Sequence, residues 1–254
     1  MNKNILALVC LALAAALIVS CGKSGNKTES SPATINTLTD DEKAAGWELL
    51  FDGQTLNGWK RYGADSIGPL WVIQDGVLVC NGEGFGEGTV GIGGSLMTLK
   101  QYGNFELSAD WKITLGGNSG LLYHVVEKPE YKHDYETGPE MQVMDDVGWK
   151  GDSLREAQKV GSNYDMYAAP PNKKVNPVGE WNVARIIYNN GHVEHWLNGE
   201  KTVEFQEGDE DYQQRYKISK WPEYPGWNTS KVGSISLQDH GANVYFRNIK
   251  IRPL

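Results

Sequence analysis

Short runs of alternating hydrophobic and polar residues follow one another along most of this chain after Gly46. The clearest run is 104–115, in which one face would carry Phe105, Leu107, Ala109, Trp111 and Ile113. Alternation of this kind predicts strands with one buried face. Turn signals separate the runs every eight to twelve residues or so, and this spacing predicts an all-β sandwich.

Dipeptides of the Asx-Gly type predict where neighbouring strands are joined by tight turns. Such turns stand at Asp75-Gly76, Asn190-Gly191 and Asn198-Gly199. The strands that they join are predicted at 70–73 with 77–80, at 181–188 with 192–197, and at 201–205, and two closing strands are predicted at 232–238 and 244–251.

Helices are predicted at only two places. Thr39 and Glu42 have the spacing of a capping box, which predicts a short helix over about 40–45. A second helix is expected around 208–217. The long stretches between strands, the glycine-rich 81–94, 147–180 and 206–231, are predicted loops, and long loops on a compact domain are often functional.

The N-terminal residues have the pattern of an export signal. Lys3 precedes an apolar run from Ile5 to Val19, which is short for a membrane span and typical of a signal peptide. Cys21 follows apolar and small residues, as at a bacterial lipoprotein cleavage site, so lipidation at Cys21 is predicted. The alternative is an ordinary signal peptide that contains a cysteine. Residues 1–20 are thus the predicted signal, 21–45 a tether with one short helix, and 46–254 the folded domain.

Composition restricts the partners. The formal net charge of −8 argues against a protein that binds nucleic acid electrostatically. We expect the domain to lie in the cell envelope, anchored to the membrane by lipid. Once the signal is removed and Cys21 is acylated, Cys80 is the one free cysteine, which excludes an internal disulfide.

An acidic strand is the most distinctive feature of the sequence. Residues 136–146 predict a strand entered through Gly138-Pro139, with Met141 and Val143 on one face. Its other face would carry Glu140, Gln142, Met144 and Asp146. A solvated outer face and the floor of a carbohydrate site are both consistent with this pattern.

Several motifs taken together resemble one family, the 3-keto-disaccharide hydrolase domain that is common in Bacteroidetes lipoproteins. They include LLFDGQTLNGW at 49–59, NSGLLY at 118–123, GPEMQVMDD at 138–146, HWLNG at 195–199 and LQDHG at 237–241. The resemblance covers about residues 46–254. It implies a concanavalin A-like jelly-roll sandwich with the site on a concave sheet, and cleavage of glycosides oxidised at C3, by hydrolysis or by elimination across C1–C2.

Acid–base chemistry on a keto-sugar requires a base near neutral pH, an acid and a group that stabilises the oxyanion. We predict the catalytic set Glu140, His240, His124 and His195, with His124 pointing away from the core. A buried structural role competes with catalysis for His195. Glu140-x-Gln142 has an amide where a glycosidase of this fold would carry its second acid, which disfavours ordinary retaining hydrolysis.

The sequence leaves several contacts open. The predicted substrate-binding residues are Asn118, Tyr123, Gln142, Asp146, Arg185 and Gln238. An internal ion pair is the alternative for Arg185, and whether Asp145 or Asp146 faces the site depends on strand geometry. A divalent metal is a possible cofactor, although tight ligand spacing is lacking. The alternatives to a keto-glycosidase are a non-catalytic carbohydrate-binding lipoprotein and an ordinary endo-glycanase.

Overall fold

The computed structural model describes residues 34–83 and 93–254. It contains two α-helices, α1 (Asp40–Ala44) and α2 (Glu210–Ile218), and thirteen strands. The strands are β1 (Glu48–Leu49), β2 (Trp59–Arg61), β3 (Trp71–Gln74), β4 (Val77–Asn81), β5 (Leu96–Thr98), β6 (Phe105–Ile113), β7 (Asn118–Val125), β8 (Glu140–Met144), β9 (Asn182–Asn189), β10 (His192–Leu197), β11 (Glu200–Gln206), β12 (Ser234–Leu237) and β13 (Asn243–Pro253).

The strands form two antiparallel sheets that pack face to face. The larger sheet has the order β11-β10-β9-β6-β13-β4-β3, with β1 added against β13, and the smaller has the order β2-β5-β12-β7-β8. Their inner faces share one apolar core, in which Leu107, Trp111 and Phe246 of the larger sheet are buried with Leu121 and Met141 of the smaller. The predicted all-β jelly-roll sandwich is confirmed.

The predicted tight turns have the backbone that their sequences favour. Asp75 and Gly76 have φ angles of 50° and 76°, and Asn190 and Gly191 have 51° and 82°. Positive φ at both central positions matches the right-handed twist of a hairpin, and asparagine, aspartate and glycine adopt it at low cost. These turns fix the pairing of β3 with β4 and of β9 with β10.

Both predicted helices are present. The side chain of Thr39 accepts a hydrogen bond from the backbone N–H of Glu42, whose own side chain accepts from Thr39, as a capping box requires. Within the described residues no helix is both long and apolar enough to cross a membrane. The predicted signal, Cys21 and most of the glycine-rich loop lie outside the described residues, so these assignments stay predictions.

Candidate functional site

A small polar pocket lies on the outer face of the smaller sheet, on the side opposite the shared core. Its volume is about 150 Å³. Side chains from β7, from β8 and from four connecting segments meet there, and the lining residues are Asn118, Tyr135, Glu140, Gln142, Tyr164, Lys220, Gln238 and His240.

Strand pairing explains why the polar residues of β8 face this pocket. Glu140 pairs with Leu122 and Gln142 with Gly120, and directly paired residues of an antiparallel sheet share a face. Met141 and Val143 point the other way, into the core. The carboxylate of Glu140 is nevertheless almost fully buried, because loops cover this face of the sheet.

Gly120 makes the room that Glu140 needs. A Cβ atom at position 120 would lie 2.0 Å from Oε1 of Glu140 and 2.7 Å from its Cδ. The side chain of Glu140 therefore lies directly across the backbone of β7. Any residue with a side chain at position 120 would displace the carboxylate.

Three amide side chains surround the carboxylate with unused acceptors. Within the described part of the chain, Oδ1 of Asn118 and the Oε1 atoms of Gln142 and Gln238 are buried and accept no hydrogen bond. The other side of the Gln142 amide is fixed, since Nε2 donates to the carbonyl oxygen of Gln158 at 3.1 Å. Buried acceptors without partners are costly, and a ligand rich in hydroxyl groups would satisfy them.

Lys220 brings a cation to the same pocket from the loop that follows α2. Its Nζ atom lies 4.5–5.1 Å from the ring centroids of Tyr135, Tyr164 and Trp221. Aromatic faces attract an ammonium group. Behind Lys220, Trp221 stacks on Trp227 with ring centroids 4.6 Å apart, so the loop is anchored in the core.

Tyr164 contributes a phenol that stays protonated. Burial, and then the negative charge of Glu140, raise the pKa of Tyr164 to about 12. Its hydroxyl accepts a hydrogen bond from Nε2 of Gln158 at 3.3 Å. The phenol can therefore donate its proton to a ligand oxygen throughout the neutral pH range.

His240 is placed by a turn that directly follows β12. The carboxylate of Asp239 is buried and accepts the backbone N–H groups of Gly94 and Gly241, at 2.8 and 3.1 Å. On the open side, the His240 ring contacts Trp149 edge-on, with centroids 6.2 Å apart. The imidazole thus lines the pocket that holds Glu140 and contacts the loop that carries Trp149.

The prediction that His124 points away from the core is wrong. The pairing of β7 with β12 shifts register here, and His124 has a φ of 54°. This bulge reverses the alternation, so Val125 joins Leu122 on the outer face and His124 turns inward. Its ring packs edge-on against Tyr188 with centroids 4.3 Å apart, and its Nε2 atom is bonded to the carbonyl oxygen of Gly103.

His195 and Tyr123 also lie in the core and not in the pocket. The Tyr123 hydroxyl accepts from Nδ2 of Asn163 and lies 3.4 Å from Nε2 of His195. Burial lowers the pKa of His195 to about 3. His195 is therefore neutral at physiological pH, and the structural alternative is the one that the geometry supports.

The buried, neutral His195 predicts a loss of stability in acid. The unfolded chain binds a proton at His195 below about pH 6.5, whereas the folded chain binds it only near pH 3. Stability should thus fall as the pH falls through that window, by about 3 kcal/mol for this group between pH 6.5 and 4. In urea unfolding, the free energy of unfolding of His195→Gln is expected to change less between pH 6.5 and 4 than that of the wild type, by about that amount. His133→Gln, in a surface loop, is the control, and equal slopes for His195→Gln and wild type would contradict this account.

Arg185 lies on the outer face of the larger sheet, away from the pocket. Its Nε–H donates a hydrogen bond to the carboxylate of Glu106. Its guanidinium group lies over the ring of Trp196, with Cζ 5.2 Å from the ring centroid. Asp146 also lies elsewhere, because β8 ends at Met144 and the alternation ends with it. The Asp146 carboxylate accepts the backbone N–H of Val160 at 2.9 Å and pairs with Lys173. Neither residue lines the pocket that holds Glu140.

The possible metal ligands of the sequence are not brought together. Asp145 accepts hydrogen bonds from the backbone N–H groups of Gly116 and Gly148, and Asp239 accepts them from those of Gly94 and Gly241. Among the described residues, the one group of three such ligands within 4.8 Å of one another is His192, Glu194 and Glu204. That group lies on the β10–β11 hairpin of the larger sheet, and Lys201 already forms ion pairs with both glutamates.

Sequence reasoning missed Lys220, Tyr135 and Tyr164 in this pocket. All three lie outside the strands, and only the fold brings them to the face of β8. For Tyr164 and Lys220 the available signal was indirect, namely two long loops that contain several tyrosines and tryptophans, whereas Tyr135 lies in the segment between β7 and β8.

Comparison with known proteins gives one consistent result. The sequence profile of the 3-keto-alpha-glucoside-1,2-lyase-like domain matches residues 46–252. A curated protein of Bacteroides thetaiotaomicron, named 3-keto-disaccharide hydrolase, is 34% identical over 294 aligned positions that cover 100% of both chains.

Two crystal structures from Parabacteroides distasonis have the same fold. One, of a candidate glycosyl hydrolase, superposes with a TM-score of 0.79 at 44% identity and covers 87% of this chain and 100% of its own. The other, of a second candidate glycosyl hydrolase, has a TM-score of 0.62 at 29% identity and covers 82% and 99%.

Proposed function

The chain belongs to the 3-keto-alpha-glucoside-1,2-lyase-like domain family, and from that membership we propose that it cleaves the glycosidic bond of 3-keto-glucosides, including 3-keto-disaccharides. The name of the Bacteroides thetaiotaomicron relative supports this substrate class. The two Parabacteroides distasonis structures support glycosyl hydrolase-like activity more generally.

One observation carries the choice of chemistry. Among the described residues that line the pocket, Glu140 is the single carboxylate. Ordinary glycoside hydrolysis uses two carboxylates, one on each side of the scissile bond. A pocket with one carboxylate, one imidazole and one ammonium group suits a reaction that begins with proton abstraction next to a ketone.

Elimination can be written with the residues present. The ketone at C3 acidifies the C2 hydrogen, and Glu140 takes that proton while an enolate forms on O3. The enolate electrons return to make the C1–C2 double bond and expel the C1 oxygen, to which His240 supplies a proton. Addition of water across C1–C2 would then give 3-keto-glucose, so that the net reaction is hydrolysis.

The remaining groups have roles that follow from their positions. The ammonium group of Lys220 stabilises the negative charge that develops on O3. The neutral phenol of Tyr164 offers one more donor to the same oxygen. The amide oxygens of Asn118, Gln142 and Gln238 accept hydrogen bonds from sugar hydroxyls, which gives these buried acceptors partners.

Product analysis tests the proposal directly. The protein is incubated with methyl 3-keto-glucoside in D₂O, with and without chelator, and the products are followed by NMR. We expect either a 2-hydroxyglycal or 3-keto-glucose that carries deuterium at C2. The amount of deuterium in the 3-keto-glucose should exceed that produced by exchange without enzyme. Methyl glucoside with its C3 hydroxyl intact must remain uncleaved. Tight binding of the keto-sugar without any product would instead support a carbohydrate-binding protein, the alternative function.

A methyl group at position 120 should disable the site without unfolding the protein. In Gly120→Ala the new Cβ would clash with the Glu140 side chain, which must move. A displacement of about 1 Å at a reacting group can cost roughly 100-fold, and we expect turnover of methyl 3-keto-glucoside to fall by about that factor. Gly103→Ala is the matched control, because its Cβ would meet nothing closer than 3.5 Å. Equal turnover in both variants would show that Glu140 does not need its present position.

Replacement of His240 should affect poor leaving groups most. If His240 protonates the departing oxygen, His240→Gln should lose about 100-fold on methyl 3-keto-glucoside. With 4-nitrophenyl 3-keto-glucoside, whose leaving group needs no proton, the loss should stay below about tenfold. The same loss on both substrates would exclude this role for His240.

A further inference from the structure

A second and larger cavity lies at the end of the sandwich, where the last residues of β6 and β8 meet two loops. Its volume is about 620 Å³, well within the roughly 300–1,000 Å³ of small-molecule sites. Trp111 and Ile113 of β6 and Met144 of β8 form its floor, and its sides come from 145–150 and 171–180. We call this cavity the end groove.

The rim of the end groove carries four exposed aliphatic side chains beside charged residues that include Lys150 and Glu180. Val147 is 94% exposed and Leu115 77%, and Val175 and Val178 are also exposed. Scattered surface valines need no explanation, but four exposed aliphatic residues around one groove form a surface that a ligand would remove from water.

The floor of the end groove carries an unused donor. Trp111 is 1% exposed, and in the described part of the chain its Nε1–H donates no hydrogen bond. Buried polar groups without partners are rare because each costs free energy. A ligand with an acceptor atom at its inner end would satisfy this indole.

The end groove adjoins the Glu140 pocket along two contacts. Gln142, which lines the pocket, donates from Nε2 to the sulfur of Met144, which lines the groove, at 3.5 Å. On the other side, Gly148 lines the groove and the next residue, Trp149, contacts the ring of His240. The groove therefore begins on the side of the pocket where His240 stands.

We propose that the end groove binds the aglycone of the glycoside, and that the aglycone class it selects is apolar and aromatic with one hydrogen-bond acceptor for Trp111. The proposal rests on the proposed function, because His240 is there assigned to the departing oxygen. The sugar would occupy the Glu140 pocket and the leaving group would extend past His240 and Trp149 into the groove.

Paired substrates with leaving groups of similar basicity test this selectivity. Methyl and 2-naphthylmethyl 3-keto-glucosides both expel a primary alkoxide, so they differ mainly in apolar surface. We expect the full-length protein to prefer the naphthylmethyl substrate about tenfold in kcat/KM. The double variant Leu115→Ser/Val147→Ser should lose that preference and keep its rate on the methyl substrate. Leu99→Ser/Val232→Ser, at exposed positions outside the groove, is the matched control.

Binding of the free alcohol provides a readout that does not depend on catalysis. 2-Naphthalenemethanol is titrated into the ¹⁵N-labelled protein, and the indole N–H signal of Trp111, assigned through Trp111→Phe, is followed by NMR. We expect a saturable shift in the wild type. In Leu115→Ser/Val147→Ser the Kd obtained from this titration should rise at least tenfold. Methanol should cause no shift.

The outcomes separate the two proposals. Cleavage of both keto-glucosides at equal efficiency, with no shift at Trp111, would overturn the aglycone site and leave the proposed function intact. A saturable shift at Trp111 without cleavage of either substrate would refute the proposed function, and with it the assignment of the groove to an aglycone.

Discussion

Replacing Glu140 by glutamine is expected to lower kcat for methyl 3-keto-glucoside about 1,000-fold. Glutamine has nearly the same size and shape, so the pocket and the packing over Gly120 should remain. The amide cannot take a proton from C2, and loss of a general base typically costs about 10²–10⁴-fold. Initial rates measured by NMR, together with the melting temperature, test this expectation.

Exchange at C2 makes the Glu140 test specific to proton abstraction. In D₂O the wild-type protein should place deuterium at C2, and Glu140→Gln should do so no faster than the uncatalysed reaction. Glu130→Gln is the control, since Glu130 lies exposed in the loop after β7. Retention of more than a tenth of the wild-type kcat by Glu140→Gln would rule out Glu140 as the base.

The face of Glu140 was predictable because β8 obeys simple alternation. From Glu140 to Met144 the strand pairs with β7 without any irregularity. The acidic strand 136–146 therefore had its polar face correctly assigned as far as position 144. Beyond that point the chain turns, with Asp145 holding the backbone N–H of Gly148, and the assignment of Asp146 by alternation failed.

His124 shows where strand alternation no longer predicts the face on which a side chain lies. His124 is two residues beyond Leu122 and would share its face in a regular strand. A single bulge, marked by the positive φ of His124, exchanges the faces. A bulge depends on how two distant strands pair, and residues 118–125 alone carry no signal for it.

The site residues that the sequence did not predict, Lys220 and Tyr164, depend on tertiary structure in a different way. Lys220 precedes a short 3₁₀ turn, and its backbone N–H donates to Asp165 in another loop at 2.8 Å. The indole of Trp221 donates to the carbonyl oxygen of Tyr164 in the same way. These bonds join segments more than fifty residues apart, so that the two loops predicted to be functional act as one cover over β8.

Replacing Lys220 by methionine is expected to lower kcat for methyl 3-keto-glucoside by about 100- to 1,000-fold. Methionine keeps most of the length of the side chain and can still contact the rings of Tyr135, Tyr164 and Trp221, but it removes the charge. Loss of one group that stabilises an oxyanion typically costs this much. The effect should fall on kcat more than on KM, because the charge on O3 develops only after the substrate has bound.

A double variant tests whether Lys220 and Glu140 serve the same step. If Glu140 forms the enolate and Lys220 stabilises it, Glu140→Gln/Lys220→Met should be little slower than Glu140→Gln alone. Without the base the enolate does not form, so the loss of the charge that stabilises it has little further effect on the rate. Lys217→Met, in the exposed last turn of α2, should match the wild type. A Lys220→Met protein with normal kcat and a raised KM would contradict the oxyanion role and assign Lys220 to ground-state binding. Effects that multiply in the double variant would show that the two residues contribute independently to the rate, which would contradict the joint role proposed for them.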